Sequence, residues 1–243
     1  MIPADHPRYR SLIARERIAR CAREGIVVPE GLAAHGRGEA FDYLLGEVTT
    51  ESALCAERCA AAMLLAAKRP VISVNGNTAA LAAREVAELQ RACHAAVEVN
   101  LFHRSPERIG KIVRLLSSEG ASVLEGKPER LLPLSHDRGL CLARGIGAAD
   151  LVFVPLEDGD RCGALRAMGK DVITVDLNPL SRTARTATLT IVDELTRALP
   201  EITRACGSLS EGERAALISS HDNTLLLREA IDAMMRRLAH ALD

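Results

Sequence analysis

The sequence predicts a Rossmann-like α/β fold: a doubly wound parallel sheet with additional N- and C-terminal helices. Three observations carry that prediction. From Pro70 onward, short β-branched runs alternate with helix-forming stretches. The runs are apolar at successive positions, as in Leu151-Val152-Phe153-Val154, which marks strands buried on both faces under covering helices. A chain of 243 residues is also long enough to bury a sizeable core. The chain is therefore read as one domain, residues 1–243. It divides into an N-terminal helical part (about 1–68), an α/β core (about 69–207) and C-terminal helices (about 208–243).

The stretch from His6 to Glu24 sets Leu12, Ile13, Ile18 and Ala19 among arginines, an amphipathic helix ending near Gly25. Residues 34–39, Ala-His-Gly-Arg-Gly-Glu, read as a short glycine-flanked loop. Thr49-Thr50-Glu51 opens an alanine-rich helix to about Lys68. Val71–Val74 is the first strand, and a helix to about Cys93 follows the turn Asn75-Gly76-Asn77-Thr78. Val97–Phe102 is the second strand. Ser105 caps the next helix, with Pro106 in its first turn. Residues 122–124 are a candidate third strand, and Gly126–Gly147 reads as irregular. Leu151–Pro155, Val172–Val175 and Leu189–Val192 are further strands, with a helix from Asp160 to Gly169. Ser210 and Glu213 form a capping box for a helix to about Ser220. A last helix carries Leu227, Ile231, Met234, Met235 and Leu238, a face for core packing or for a dimer contact.

Lys and Arg total 31 and Asp and Glu 32, a formal net charge of −1. Binders of bulk polyanions carry a basic excess, so non-specific nucleic-acid binding is disfavoured. Aromatics make up 2% and Trp is absent, which leaves no material for base-stacking platforms or sugar-binding shelves. No apolar run approaches the ~18 residues of a membrane span. The start, MIPADHPRYR, is charged where a signal peptide is apolar, so a cytoplasmic protein is expected. Seven scattered cysteines read as reduced core thiols. Cys55 and Cys59 share a helix face, but the radical iron–sulfur pattern needs a third cysteine where Ala62 stands.

Ligands of a doubly wound sheet bind at the carboxyl ends of its strands, so four loops are candidates. In Asn75–Thr78, Gly76 lets the backbone approach a ligand, and the amides opening the next helix form an anion site. Asn100, His103 and Arg104 follow the second strand as either a polar site or plain surface. Glu157-Asp158-Gly159-Asp160-Arg161 crowds three carboxylates into one turn, which suggests magnesium or a substrate ammonium; Asp160 could instead be a helix cap. In Asp176-Leu177-Asn178-Pro179-Leu180-Ser181-Arg182 the strand-end acid suits ribose hydroxyls, and Arg182 and Arg185 suit phosphates. The run His35–Glu39 is either a site of close backbone approach or a tight turn into a helix. A Walker-type ATP loop is absent, and Gly145-Ile146-Gly147 precedes its strand, the wrong order for a dinucleotide fingerprint. Neither His-Glu-x-x-His nor Gly-x-Ser-x-Gly occurs. The residues alone reach a small-anion or nucleotide enzyme on a parallel sheet.

The segments AHGRGEAFDYLLGE, VISVNGNTAAL, NLFHRSPERI, VPLEDGDR and VITVDLNPLSRTAR occur in order and span nearly the whole chain. Together they closely resemble the archaeal phosphopantothenate synthetases, or 4-phosphopantoate–β-alanine ligases. The resemblance implies a homodimer that makes 4′-phosphopantothenate from 4-phosphopantoate, β-alanine and ATP on the route to coenzyme A. It implies ATP contacts from Arg15, Arg37, Asp176, Leu177, Asn178, Arg182 and Thr183, and from Glu194 and Leu195 through their backbone. It further implies a phosphopantoyl adenylate, with pyrophosphate and AMP released and magnesium balancing the triphosphate.

On that picture Asn75, Gly76, Asn77 and Thr78 hold the phosphate of phosphopantoate. The acidic turn of Glu157, Asp158 and Asp160 attracts the β-alanine ammonium or a magnesium ion. His35 and Glu157 are the candidate bases. A nicotinamide-dependent oxidoreductase, which lacks its glycine fingerprint here, and a non-catalytic nucleotide sensor are the alternatives.

Overall fold

The computed structural model describes residues 2–3 and 5–241. Its strands are β1 (Pro70–Val74), β2 (Ala96–Val99), β3 (Glu129–Arg130), β4 (Leu140–Cys141), β5 (Leu151–Pro155), β6 (Asp171–Val175) and β7 (Leu189–Ile191). β3 and β4 form a short antiparallel ribbon. The other five strands form one parallel sheet in the order β2-β1-β5-β6-β7. The chain steps outward from β1 to β2, then returns to the far side of β1 and continues through β5, β6 and β7. That reversal opens a crevice at the carboxyl ends of β1 and β5.

The helices are α1 (Tyr9–Arg23), α2 (Pro29–Leu45), α3 (Glu51–Ala66), α4 (Gly76–Cys93), α5 (Pro106–Ser118), α6 (Gly159–Ala167), α7 (Arg182–Thr186), α8 (Leu195–Ser208), α9 (Glu211–Ser220) and α10 (Asn223–Ala239). Both sheet faces are apolar, as the strand composition predicts. Ile72, Val74, Phe153, Ile173 and Val175 pack with α3, α4 and α8, whose Ala60, Ala61, Ala62, Ala87 and Ala198 let backbones approach closely. The alternate residues Val71, Val152, Val154 and Val172 pack with Cys162 and Leu165 of α6 and with Leu132, Cys141 and Ile146. On α10, Leu227 and Met234 pack beside Val192 and Ala184, while Met235 and Leu238 are exposed.

Several elements differ from the sequence expectation. Residues 34–39 are helical, inside α2, and do not form a loop. Pro29 starts that helix and Gly46, at φ +90°, ends it. Of its internal glycines, Gly31 is required by a neighbour, since a Cβ there would lie 2.3 Å from Asn77 Oδ1, whereas Gly36 faces open space and a Cβ on Gly38 would only touch Leu177. The second strand stops at Val99, and residues 122–124 contribute only a single bridge between Val97 and Val123. The segment 126–147 is largely irregular, with the β3–β4 ribbon and a wide turn at Ala143–Gly147. The cap of α6 is Asp158, not Asp160: its side chain accepts from Arg161 N at 2.9 Å. The sequence reading named no element over α8. The capping box of Ser210 and Glu213 is present as expected.

Glu98 explains how an irregular segment can serve as a core wall. It sits on β2 at 2% exposure. Its two carboxylate oxygens accept from Leu142 N at 2.9 Å and Ile146 N at 2.8 Å. A Cβ on Gly145 would lie 2.0 Å from Glu98 Oε2, so only glycine fits there. Burial raises the Glu98 pKa, and the two amides oppose that shift. Replacing Glu98 by Ala strands two buried amides. We expect a loss of roughly 2–6 kcal/mol in unfolding free energy, read by urea denaturation, at about 1–3 kcal/mol per unsatisfied amide. A loss below that range would mean that the 140–147 segment is held by other contacts.

Candidate active site

The carboxyl ends of β1 and β5 are sewn together by the turn that follows β1. Asn75 caps α4, its Oδ1 accepting from Thr78 N at 2.9 Å, and its Nδ2 donates to Leu156 O at 3.0 Å. Thr78 Oγ1 reaches Pro155 O at 3.3 Å. Asn77 Nδ2 donates to Gly31 O at 2.7 Å and so ties α2 to this edge. The reason for Gly76 is a correction to the sequence reading. A Cβ there would lie 2.4 Å from Ile26 O and 2.7 Å from Arg108, so the close approach is to the protein's own chain. With these side chains engaged, what the turn offers an anion is the amides that open α4.

After β5, Leu156 takes a left-handed backbone at φ +60°, a strained choice for leucine of the kind that gathers at functional sites. Glu157 follows with its side chain fully buried between two arginines: Arg138 Nη2 at 2.7 Å and Arg161 Nη1 at 2.5 Å. Arg161 is itself fully buried and also donates to Ser73 Oγ on β1 at 2.9 Å. The three acids of this turn are thus not an unbalanced cluster. Asp158 caps α6 and lies 3.3 Å from Arg138 Nε, and exposed Asp160 pairs with Arg182 at 2.7 Å. Among the described residues no group of three or more His, Cys, Asp or Glu is arranged to hold a metal ion.

After β6, Asp176 accepts from Asn178 N at 2.9 Å and from Ser181 Oγ at 2.5 Å, and Ser181 caps α7. Burial raises the Asp176 pKa, opposed by those donors and by the Arg37 charge. Arg37 comes from α2, and Gly38 of the same helix lies against Leu177. Thr183 is buried, and its hydroxyl donates to Glu157 O at 3.2 Å. After β7, Glu194 caps α8 through Thr196 N, and burial raises its pKa.

α2 therefore crosses the carboxyl edge of the sheet, from Asn77 past the Asp176 turn to Arg197 at the start of α8. That placement gathers Arg37, Asp176, Leu177 and Asn178. Arg15 of α1 is held instead by Glu39, at 2.7 Å. His35 and Glu194 both line a small cavity of about 110 Å³ with Glu39, Asp42 and Arg197. Among the described residues His35 Nε2 is buried without a partner, and burial lowers the ring's pKa.

A second ionic knot, absent from the sequence reading, ties α2 to α8. Arg197 donates to both oxygens of Asp42, at 3.1 and 2.6 Å, and to Asp193 at 2.9 Å. Thr49 Oγ1 adds a bond to Asp193 at 2.6 Å. Glu57 of α3 is 1% exposed beside this group, and neither of its oxygens meets a donor. Burial and the Asp193 carboxylate raise its pKa to about 9. A protonated Glu57 can donate to Asp193, which removes one of three buried negative charges facing one arginine. The available signal was a glutamate spaced with Ala53, Ala60, Ala61 and Leu64 on the apolar face of an alanine-rich helix, where no solvated position exists for it.

The phosphopantothenate/pantothenate synthetase family model matches residues 52–237. The chain is 57% identical over 243 residues, the whole of both chains, to a 4-phosphopantoate–β-alanine ligase of Methanospirillum hungatei. It is 53% identical over 241 residues to the ligase of that name from Methanosarcina mazei, covering 98% of this chain and 95% of the relative. For the Thermococcus kodakarensis ligase the identity is 47% over 248 residues, covering 100% and 95%.

The Glu57 site predicts a pH dependence. With its pKa raised in the folded chain, Glu57 keeps a proton that the unfolded chain releases above its ordinary 4.5. Its contribution to stability is complete below that value and is lost as pH rises toward about 9. Glu57→Gln, of the same shape and neutral throughout, should flatten this limb of the Tm–pH profile. Tm should rise at alkaline pH by about 2–4 °C per kcal/mol retained. A profile that keeps the wild-type slope would show that Glu57 is ionised in the fold.

Proposed function

The chain belongs to the phosphopantothenate/pantothenate synthetase family and joins 4-phosphopantoate to β-alanine, and we propose that it does so through a phosphopantoyl adenylate made from ATP. The observation that carries this reading is identity along the full length of ligases of that name. A crevice at the strand ends, bordered by arginines and helix amino termini, supports it. The nicotinamide and sensor readings have no comparable support.

A carboxylate resists attack because it is negative and its oxide leaves badly. In the proposed first step a carboxylate oxygen of phosphopantoate attacks the α-phosphorus of ATP. The bond to the bridging oxygen breaks and pyrophosphate leaves. In the second step the deprotonated amine of β-alanine attacks the acyl carbon, the carbon–oxygen bond to AMP breaks, and the amide forms. Most of the gain comes from holding three reactants in line, and positive groups stabilise the charge spreading over phosphorus.

On this reading ATP lies over the β6–β7 side, its ribose on Asp176 and its contacts from Leu177, Asn178, Thr183, Glu194 and Leu195. Arg37 and Arg15 supply positive charge. Arg182 is available because its ion pair with Asp160 is solvent-exposed and therefore weak. Magnesium arrives with the triphosphate, and Asp158, the acid of the β5 turn that is only half-buried, borders its path. Glu157, committed to Arg138 and Arg161, is no longer a candidate base; His35 keeps a nitrogen free to accept a proton. The assembly is a homodimer, for which exposed Met235 and Leu238 on α10 offer apolar surface. No helix among the described residues is long and apolar enough to cross a membrane, in keeping with a cytoplasmic site of action.

Two outcomes are expected. Chromatography of the nucleotide products should show AMP and pyrophosphate; ADP and orthophosphate would overturn the adenylate. Asp176→Asn should weaken ATP binding in calorimetry by about 10- to 100-fold, the loss of a charged hydrogen bond. Unchanged ATP affinity in a variant with wild-type circular dichroism would remove Asp176 from the ribose.

A further inference from the structure

The fully buried side chains of α1, Ile18 and Cys21, both lie in its second half. Its first half is tied to α2 by a polar seam. Arg8, at the N-cap of α1, and Ser11 and Arg15 follow one another by three and four residues and so share a face. They meet Glu39 and Tyr43, four residues apart on α2. Glu39 is the centre of the seam. Its Oε1 accepts from Ser11 Oγ at 2.7 Å and from Arg15 Nε at 2.7 Å, and its Oε2 shares the same Nε–H at 3.0 Å. The Tyr43 hydroxyl accepts from Arg15 Nη2 at 2.8 Å and also from Arg8, whose guanidinium lies 4.6 Å from the Tyr43 ring centre.

Arg15 is thereby fixed on two of its three guanidinium nitrogens. Among the described residues its Nη1 has no partner, and the side chain is 43% exposed. Two N–H groups are thus offered outward in a set direction. Stability does not account for the arrangement, because an exposed ion pair gains little beyond what ordering two long side chains costs. Burial would raise the Glu39 pKa, but the hydrogen bonds from Arg15 and Ser11 outweigh it and hold the carboxyl below its ordinary value. Glu39 is therefore an ionised clamp throughout the neutral range. It follows Arg37 by two residues on α2, and the Arg37 charge acts on Asp176 after β6. One helix therefore carries one of the two arginines assigned to the nucleotide and holds the other.

We propose that Glu39, assisted by Tyr43, is a positioning residue for ATP: it holds Arg15 aimed in advance, so that Nη1 meets the nucleotide without first being ordered. The proposal rests on the reading of Arg15 as a nucleotide contact. A free arginine loses rotamer entropy when it closes on a ligand, and one already fixed by the protein does not. Glu39 itself touches no reactant and acts only through Arg15.

A double-mutant cycle in steady-state ligation tests this. Glu39→Ala should raise KM for ATP about 10- to 30-fold, the rotamer freedom of one arginine expressed as affinity. KM for 4-phosphopantoate and β-alanine should stay within about two-fold of wild type. Tyr43→Phe, which removes one exposed hydroxyl, should raise KM for ATP about 3- to 10-fold. In an Arg15→Ala background neither substitution should change KM for ATP further. A Glu39→Ala effect that persists without Arg15 overturns the proposal, because Glu39 would then act directly or through the fold. A wild-type KM for ATP in Glu39→Ala and Tyr43→Phe, beside an impaired Arg15→Ala, overturns it too. If Glu39→Ala does not fold, the Tyr43→Phe arm of the cycle decides by the same criteria. A wild-type KM for ATP in Arg15→Ala would instead remove Arg15 from the nucleotide site, and the proposal with it.

Discussion

The carboxyl edge of the sheet depends on one buried carboxylate. Glu157 lies with no exposed side-chain surface between Arg138 and Arg161, and those two guanidiniums reach onward to Asn100 O and Ser73. Through this knot β1, β5, α6, the end of β2 and the 136–141 segment share a single set of charges. Desolvating three ionic groups is costly, and each is tolerable only while both of its partners are present. The arrangement is accordingly all or none: it fixes the relative positions of the loops on which binding depends.

Small residues make the remaining geometry possible. Alanines at Ala60, Ala61, Ala62 and Ala82 are fully buried, so α3 and α4 can lie close to the sheet and to each other. One glycine does the same for α2. Gly31 leaves room for Asn77, so that helix can cross the strand ends instead of standing away from them. A glycine inside a helix costs about 1 kcal/mol relative to alanine, a cost offset here by the contacts that close approach allows. The knot of Asp42, Arg197 and Asp193 then holds the far end of α2 against α8.

The two ionic knots differ in what they leave over. At Glu157 two arginines surround one buried acid, and half-buried Asp158 beside Arg138 completes the balance. At Asp193 three buried acids face one arginine, and a proton on Glu57 restores part of the balance. The charges at the β5 end are thus matched, two arginines to Glu157 and Asp158, whereas those beside α8 are matched only with the help of a proton.

The strands, both helical ends, the capping box at Ser210 and the strand-end position of Asp176 were legible because each depends on local pattern: apolar runs, cap residues and the alternation of strand and helix. Sequence likewise determined the family, since five motif blocks occur in order along the chain. What it could not decide was the partner of any charge. His35–Glu39 reads as a loop because two glycines outweigh local helix propensity; in the fold it continues the helix opened at Pro29, with Glu39 held by Ser11 and Arg15 of α1, distant in sequence. Three acids in one turn read as a surplus until Arg138, some twenty residues upstream, is folded against Glu157. Gly76 reads as making room for a ligand, whereas the space it leaves is taken by Ile26 O. Hydrophobic periodicity is a property of neighbouring residues and survives in one dimension. Electrostatic compensation and close backbone approach join residues that only the tertiary fold makes neighbours.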